Sequence, residues 1–251
     1  MLFGNESISA YTRANATIWM ILAFQAGLLN IGGWMACQHF VSHVTGYATL
    51  FGFEAGHGHF RHALGYLAVP TFFLMGSMIS GVLVDIRLKL RKKPKYHIVF
   101  GVLFVLILAV VVLGFNNYFG RFGGEGTNRH DFMLIALLCL ICGIQNGTIT
   151  LVSRSVVRTT HLTGVTTDLG IGLVRVLNSR RLKGQLEDEG RANWMRIGII
   201  SFFALGSLAG MLVYDKWAYR GFLFPTAISG ALFFTTFYFQ VLRERLDAGS
   251  R

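Results

Sequence analysis

Charge is scarce in this 251-residue chain. Asp, Glu, Lys and Arg make up 14% of it, where a soluble domain has roughly a quarter, and this excludes most soluble enzyme classes. Three cysteines, Cys37, Cys139 and Cys142, are too few for a disulfide framework, and all fall at or inside long apolar runs. Cys139 and Cys142 stand one helical turn apart, which fits small apolar residues in a helix interface better than a redox or metal C-x-x-C. There is no G-x-S-x-G, H-E-x-x-H or phosphate-binding loop, and no G-x-G-x-x-G opening a helix after a strand. No catalytic residue is therefore assigned, and neither a cofactor nor a metal is expected. The first fifteen residues carry only Glu6 and Arg13 as charges and lack the basic start, short apolar core and cleavage site of a signal peptide. The first long apolar run is expected to act as its own insertion signal.

What the chain has is hydrophobicity, with 53% hydrophobic residues and a mean hydropathy of +0.53. A formal charge of +11 would suit a nucleic-acid binder only if the basic residues lay on one solvated face. Here they sit between long apolar runs, the pattern of a multi-pass membrane protein, so no nucleic-acid partner is expected. A hydrocarbon core of about 30 Å takes about 20 helical residues to cross. On that measure six spans are read, at 17–37, 63–86, 97–115, 132–151, 193–214 and 221–242. Two shorter apolar pieces, 40–55 and 162–177, are richer in Gly, Thr and His and are undecided by length.

The chain repeats itself. Gly27-x-x-Asn30 returns as Gly143-x-x-Asn146. The run Ser42-His43-Val44-Thr45-Gly46, with Thr49 and Gly52, returns as Thr160-His161-Leu162-Thr163-Gly164, with Thr167 and Gly170. Phe73-Leu74-Met75-Gly76-Ser77, followed by Gly81 and Asp85, returns as Phe203-Ala204-Leu205-Gly206-Ser207, followed by Gly210 and Asp215. Three blocks in one order argue against chance. Residues 17–116 and 131–243 are read as two copies of one unit within a single membrane domain, 1–251.

Each copy holds one span, a short His-Thr-Gly piece and two further spans. If the short pieces do not cross, three spans per copy invert the second copy relative to the first. Arg87, Lys89, Arg91, Lys92, Lys93 and Lys95 form one basic link, while 154–192 holds Arg154, Arg158, Arg175, Arg180, Arg181, Lys183 and Arg191. Putting both on the cytoplasmic side obeys the positive-inside rule and leaves 38–62, with Arg61 alone, on the other. The expected architecture is all-α, with six transmembrane helices, two broken or re-entrant His-Thr-Gly segments and a three-plus-three inverted repeat. Both termini are then cytoplasmic.

Matching short, Gly-interrupted segments in two halves point to a central site in transporters of this design, and irregular backbone at membrane depth must be buried or line a cavity. The two motifs are therefore expected to meet inside the bundle. Thr45 and Thr163 read as N-caps, and Gly46 and Gly164 as places of close backbone approach. A helix starting there favours an anionic or strongly dipolar solute. His43 and His161 add a proton that titrates near neutrality, Asn30 and Asn146 add donors and acceptors, and Thr49 and Thr167 continue the motif. Gly, Thr, Ser and Asn also let membrane helices pack closely, so the same residues can form a packing joint. The Phe-x-x-Gly-Ser blocks are read as packing.

Where the first copy has Leu50, the second has Asp168, on one helical stripe with His161 and Arg175. An ionisable residue at depth is a functional candidate; the alternative is an Asp neutralised by Arg175 or a histidine. Asp85 and Asp215 read as solvated or tied to nearby bases. Glu54, His57, His59, Arg61 and His62 invite a metal reading, but Arg61 disfavours a cation and solvated interfacial histidines are expected. The basic link at 87–95 reads as a topology determinant in contact with anionic lipid.

On Gly27-Leu28-Leu29-Asn30, His43-Val44-Thr45-Gly46 with Thr49, Gly143-Ile144-Gln145-Asn146, and Thr160-His161-Leu162-Thr163-Gly164 with Thr167, the chain resembles the YoaK-like bacterial membrane family, domain of unknown function 1275. The resemblance runs from about residue 17 to 243 and departs from the family's usual pattern at Tyr47, where Asn would follow the first Thr-Gly. It implies a six-span protein of the bacterial plasma membrane and no settled activity.

The expectation drawn from all of this is a carrier or channel-like protein for a small polar, anionic solute, bound by Asn30, His43, Thr45, Gly46, Thr49, Asn146, His161, Thr163, Gly164, Thr167 and Asp168. Its partners are the solute and membrane lipid, and the Gly76–Gly81 face is compatible with a homodimer. Two other classes stay open: a membrane enzyme using His161 and Asp168 on a lipid-soluble substrate, and a structural or sensory scaffold whose motifs only pack helices.

Overall fold

In lipid every backbone amide must bond within the chain, which leaves helices as the element for an apolar run without strand alternation. The computed structural model describes residues 13–124, 129–152, 162–178 and 186–243, and every element among them is helical. Helix α1 spans Arg13–Cys37 and α2 Val44–Gly56. Helix α3, Phe60–Ser80, runs on through a π turn at Gly81–Asp85 into α4, Ile86–Lys89. Then come α5, Tyr96–Phe115; α6, Arg129–Val152; α7, Leu162–Leu177; and α8, Leu186–Trp217. A 3-10 turn at Ala218–Phe222 leads into α9, Leu223–Phe237, which ends in a second π turn at Tyr238–Leu242.

Five stretches are long and apolar enough to cross a membrane: Asn15–Cys37, Phe60–Lys89, Tyr96–Phe115, His130–Leu151 and Glu189–Leu242. The fifth takes in most of α8 and all of α9. Ala218, in the left-handed region at φ 47, stands between them. Leu64, Leu67, Leu74 and Met78 of α3, with Leu205, Leu208 and Leu212 of α8, are exposed. Apolar ridges of that length are unstable in water and suit the side of a helix that meets acyl chains. The chain is an all-helical membrane protein.

The main helix contacts are α1 with α8 and α3 with α6, and then α5 with α9. Glycine makes the first two close. A Cβ at Gly27 would fall on the carbonyl oxygen of Phe203, and one at Gly143 on that of Phe73. A Cβ at Gly206 would fall on Phe24 O, and one at Gly76 on Leu140 O. Ser207 Oγ donates to Gly27 O at 3.4 Å, and Ser77 Oγ to Gly143 O at 3.3 Å. Every residue in one contact of each pair is the repeat-aligned counterpart of a residue in the other. The Phe-x-x-Gly-Ser blocks thus pack, as their composition implies. Gly76 is occupied inside the chain and so leaves the dimer face read from Gly76–Gly81.

The third contact obeys the same rule. Gly101 lies under the Phe233 ring, and Gly230 under the Phe104 ring, each with ring carbons 3.1 Å from where a Cβ would stand. Gly101-Val102-Leu103-Phe104 and Gly230-Ala231-Leu232-Phe233 are a fourth matching block, too short to be singled out without the contact. Helices α1 and α6 run in opposite directions: Gly123, which precedes α6, donates its N–H to Ala36 O at the far end of α1 at 3.0 Å.

Replacing Gly27 or Gly143 with Ala overpacks a helix contact and is expected to cost about 1–3 kcal/mol, seen as a lower melting temperature in detergent. Gly52 of α2 has nothing within 4 Å of a Cβ, so Gly52→Ala should leave melting unchanged or raise stability by about 0.5–1 kcal/mol. Equal melting of all three variants would show that the glycine contacts do not hold the bundle.

Candidate functional site

Where α1, α6 and α9 come together, the packing admits a polar seam. Gln25 is fully buried (0% exposed); its Nε2 donates to Gln145 Oε1 at 2.9 Å, and its Oε1 accepts from Ser229 Oγ at 3.2 Å. Gln145 Nε2 donates in turn to Leu22 O at 2.8 Å. A second knot ties α3 to α6, with Ser80 Oγ 2.6 Å from Ile144 O and 2.9 Å from Thr148 Oγ1. Neither glutamine is singled out by the repeat, because Gln25 aligns with Ile141 and Gln145 with Leu29. The available signal was simply an amide inside an apolar span, where a polar side chain needs a partner.

At the end of α1, Gln38 adopts φ 56, the left-handed conformation that closes a helix, and the chain turns back along α1. Val41 lies against Gly33, Cys139 Sγ donates to Val41 O at 3.0 Å, and Ser42 donates to Asn30 Oδ1 through both N–H, at 3.3 Å, and Oγ, at 3.0 Å. Asn30 is therefore a brace that holds the returning segment against α1. His39, which the motif reading passed over, contacts Cys37 O through Nδ1 at 2.7 Å and Tyr66 OH through Nε2 at 3.2 Å. A carbonyl can only accept, so Nδ1 is the donor in the bond to Cys37 O.

The motif residues sit differently from expectation. Helix α2 begins at Val44 with His43 as its cap residue and no side-chain capping bond, so Thr45 lies inside the helix rather than at its cap. The His43 carbonyl takes the first bond, from Gly46 N–H at 3.0 Å. The group that approaches Gly46 is the His43 ring, whose Nδ1 stands 2.7 Å from a Cβ position there. His43, Thr45 and Thr49 are exposed, and Thr49 Oγ1 returns to Thr45 O at 3.1 Å. In the second copy α7, Leu162–Leu177, takes in Thr163 as well. Thr163 and Thr167 are exposed, Gly164 is half-buried, and Thr167 Oγ1 donates to Thr163 O at 2.9 Å. His161 lies outside the described residues, as do Arg154, Arg158, Arg180, Arg181 and Lys183.

Helix α2 packs on α3, and α7 on α8, so each motif lies against a long helix and the two do not build the seam between them. Asp168 is exposed, and Arg175 is joined to Glu189 rather than to Asp168. Asn146 is buried in the bundle, at 8% exposure, and its Oδ1 has no hydrogen-bond partner among the described residues. Across the link from α2 to α3, Glu54 Oε2 near the end of α2 lies 2.9 Å from His59 Nδ1 and 3.9 Å from Nδ1 of His62 in the first turn of α3. Among the described residues no three His, Cys, Asp or Glu side chains are grouped to hold a metal ion. Asp85 pairs with Lys89 at 2.9 Å, as its place at a span end implies, and Cys37, Cys139 and Cys142 are buried thiols.

Gln25→Leu leaves a buried Gln145 acceptor and a Ser229 donor unpaired, a loss of about 1–3 kcal/mol. The double variant Gln25→Leu/Gln145→Leu removes both amides and should cost less than the two single losses added. Additive losses in detergent melting would mean that the two side chains do not act as a pair.

The family described as "Protein of unknown function (DUF1275)" matches residues 18–235, from within α1 to near the end of α9. No curated protein and no solved structure matches the chain. By that match, which takes in the seam, both motif helices and all the glycine contacts, the chain belongs to the DUF1275 family.

Proposed function

We propose that this protein is a membrane carrier for a small polar solute, made of two three-span halves inserted in opposite directions. The observation that carries the reading is the reciprocity of the helix contacts: each glycine-on-carbonyl approach between the copies recurs with the copies exchanged, and α1 opposes α6. Two equivalent packings of related halves are what alternating access requires, since rocking one half against the other interconverts states of similar energy. In this reading α8 and α9 are separate spans, the short pieces 40–55 and 162–177 enter from opposite faces, and the termini, the basic 87–95 link and 154–192 face the cytoplasm of a bacterial inner membrane.

The solute site lies beside the seam, at Asn146 and the Asn30–Ser42 brace. A buried amide oxygen without a partner is costly and is satisfied when a solute supplies the missing group. Asn146 and the Asn30–Ser42 pair offer amide and hydroxyl groups, which suit a small polar solute, and the helix start at Val44 favours an anion over a cation. The scaffold reading draws on one feature, the bonding of Thr49 and Thr167 back to their own helices.

Melting of the purified protein with a panel of small anions, amino acids and nucleobases at two pH values, followed by flux in proteoliposomes, tests the carrier. At least one solute should raise the melting temperature of the wild type. Asn146→Ala should lose that shift and slow flux about tenfold, the scale of one lost hydrogen bond to a polar partner, without lowering melting of the solute-free protein. No shift with any solute, or a shift kept by Asn146→Ala, overturns the site.

Topology is tested separately with single cysteines at Gly58 and Lys92, both in exposed links. Impermeant thiol reagents should reach them from opposite sides of the membrane. Labelling from one side overturns the three-span half.

A further inference from the structure

Near the start of α8, two guanidinium groups share one carboxylate. Arg196 Nη1 donates to Glu189 Oε1 at 2.8 Å and to Asn193 Oδ1 at 2.7 Å, while Arg175 Nη1, from α7, donates to Glu189 Oε2 at 3.0 Å. Glu189 thus answers both cations, and these three described side chains sum to one positive charge. The surplus is also one of donors. Arg196 Nε and Asn193 Nδ2 are buried with no partner among the described residues, and Asn193 is 5% exposed. Each guanidinium offers five N–H groups, so the cluster has donors to spare around acceptors already in use.

Packing closes one flank and leaves another open. A Cβ at Gly172 of α7 would fall on Asn193 Oδ1 and stand 2.6 Å from both Arg196 Nη1 and Glu189 Oε1, so glycine there lets the α7 backbone lie directly on the cluster. The Arg196 side chain is 13% exposed, whereas that of Arg175 is 56% exposed. Between Asn193 and Arg196 stands Trp194, 75% exposed. An exposed indole on an apolar helix marks the membrane–water boundary, and the cluster therefore lies at headgroup depth.

We propose that Arg175, Arg196 and Asn193 form a binding site for a phosphate-type oxyanion, with the headgroup phosphate of an anionic phospholipid as the source that its depth favours. A tetrahedral oxyanion offers several acceptors to fork-shaped guanidinium donors and supplies the missing charge. An ion pair serving only to clamp α7 to α8 needs one cation per carboxylate and leaves the second guanidinium and the Asn193 amide unexplained. Glu189 has two effects in the site: it orients both guanidiniums and competes with the oxyanion for them. The site stands apart from the seam, and its fate does not depend on the carrier reading.

The test uses the full-length protein in phosphatidylcholine nanodiscs, with phosphatidic acid added in one arm and inorganic phosphate in the other, read by native mass spectrometry and by melting. Phosphatidic acid should be retained by the wild type and raise its melting temperature. Arg175→Gln should hold it about tenfold more weakly while melting like the wild type in phosphatidylcholine alone. Anionic lipid on the basic 87–95 link is common to both proteins and cancels in the comparison. Glu189→Gln should bind more tightly than the wild type, the opposite of what a simple clamp gives, and Asn193→Leu, which needs no charged partner, serves if that variant does not fold. Stabilisation by inorganic phosphate to the same extent assigns the site to a free oxyanion, and a response to lipid alone assigns it to a headgroup. Equal retention by wild type and Arg175→Gln, with no response to phosphate, overturns the site.

Discussion

Backbone-to-backbone approach between α1 and α8, and between α3 and α6, is the constraint on which the rest of the molecule depends. Acyl chains are as apolar as leucine, so burial of apolar surface does little to draw membrane helices together, and close van der Waals packing with carbonyl and hydroxyl contacts must do it. Gly27, Gly143, Gly76 and Gly206 remove the side chain where the partner's carbonyl arrives. Ser77 and Ser207 then add a hydrogen bond to the same joints. With α1 and α6 held this way, the remaining helices have their places: α2 on α3, α7 on α8, and α5 against α9.

Close packing also explains where polarity is kept. Gln25, Gln145 and Ser229 bond one another across three helices, and the returning segment after α1 is secured by Asn30 and by Cys139. Each such bond replaces one that water would supply outside the bilayer. Against that background, Asn146 Oδ1 and the donors of Arg196 and Asn193 stay unpaired among the described residues, as do the buried hydroxyls of Tyr214 and Tyr219. Asn146 and the Arg196 cluster differ in chemistry: one is a neutral amide in an apolar surround, the other a cationic donor cluster.

Much of the fold was legible in the residues. Long apolar runs with few charges mark helices, and the paired Gly-x-x-Asn and Phe-x-x-Gly-Ser blocks mark the joints, because only glycine meets the steric demand and glycine is visible by name. The fourth block, Gly101–Phe104 with Gly230–Phe233, escaped because two apolar residues per copy do not stand out in an apolar chain. The site was less legible. Thr45 and Thr163 looked like caps because threonine caps helices well, yet both lie within their helices, and in α2 the cap residue is His43, with no side-chain capping bond. Arg175 shares a helical stripe with Asp168, but its guanidinium pairs with Glu189 of α8.

The sequence by itself determined the class, all-helical and membrane-bound, and the two-copy organisation of its glycine and serine blocks, because hydropathy and residue size are local properties carried by each residue. Tertiary structure decided which polar groups find partners. Gln25 meets Gln145 across 120 positions, Ser229 reaches Gln25 across 204, and Arg196 and Arg175 converge on Glu189 from two helices. Hydrogen bonds act over a few ångströms and depend on direction, so a pattern read along one chain cannot say which of its polar atoms a fold will satisfy and which it will leave open.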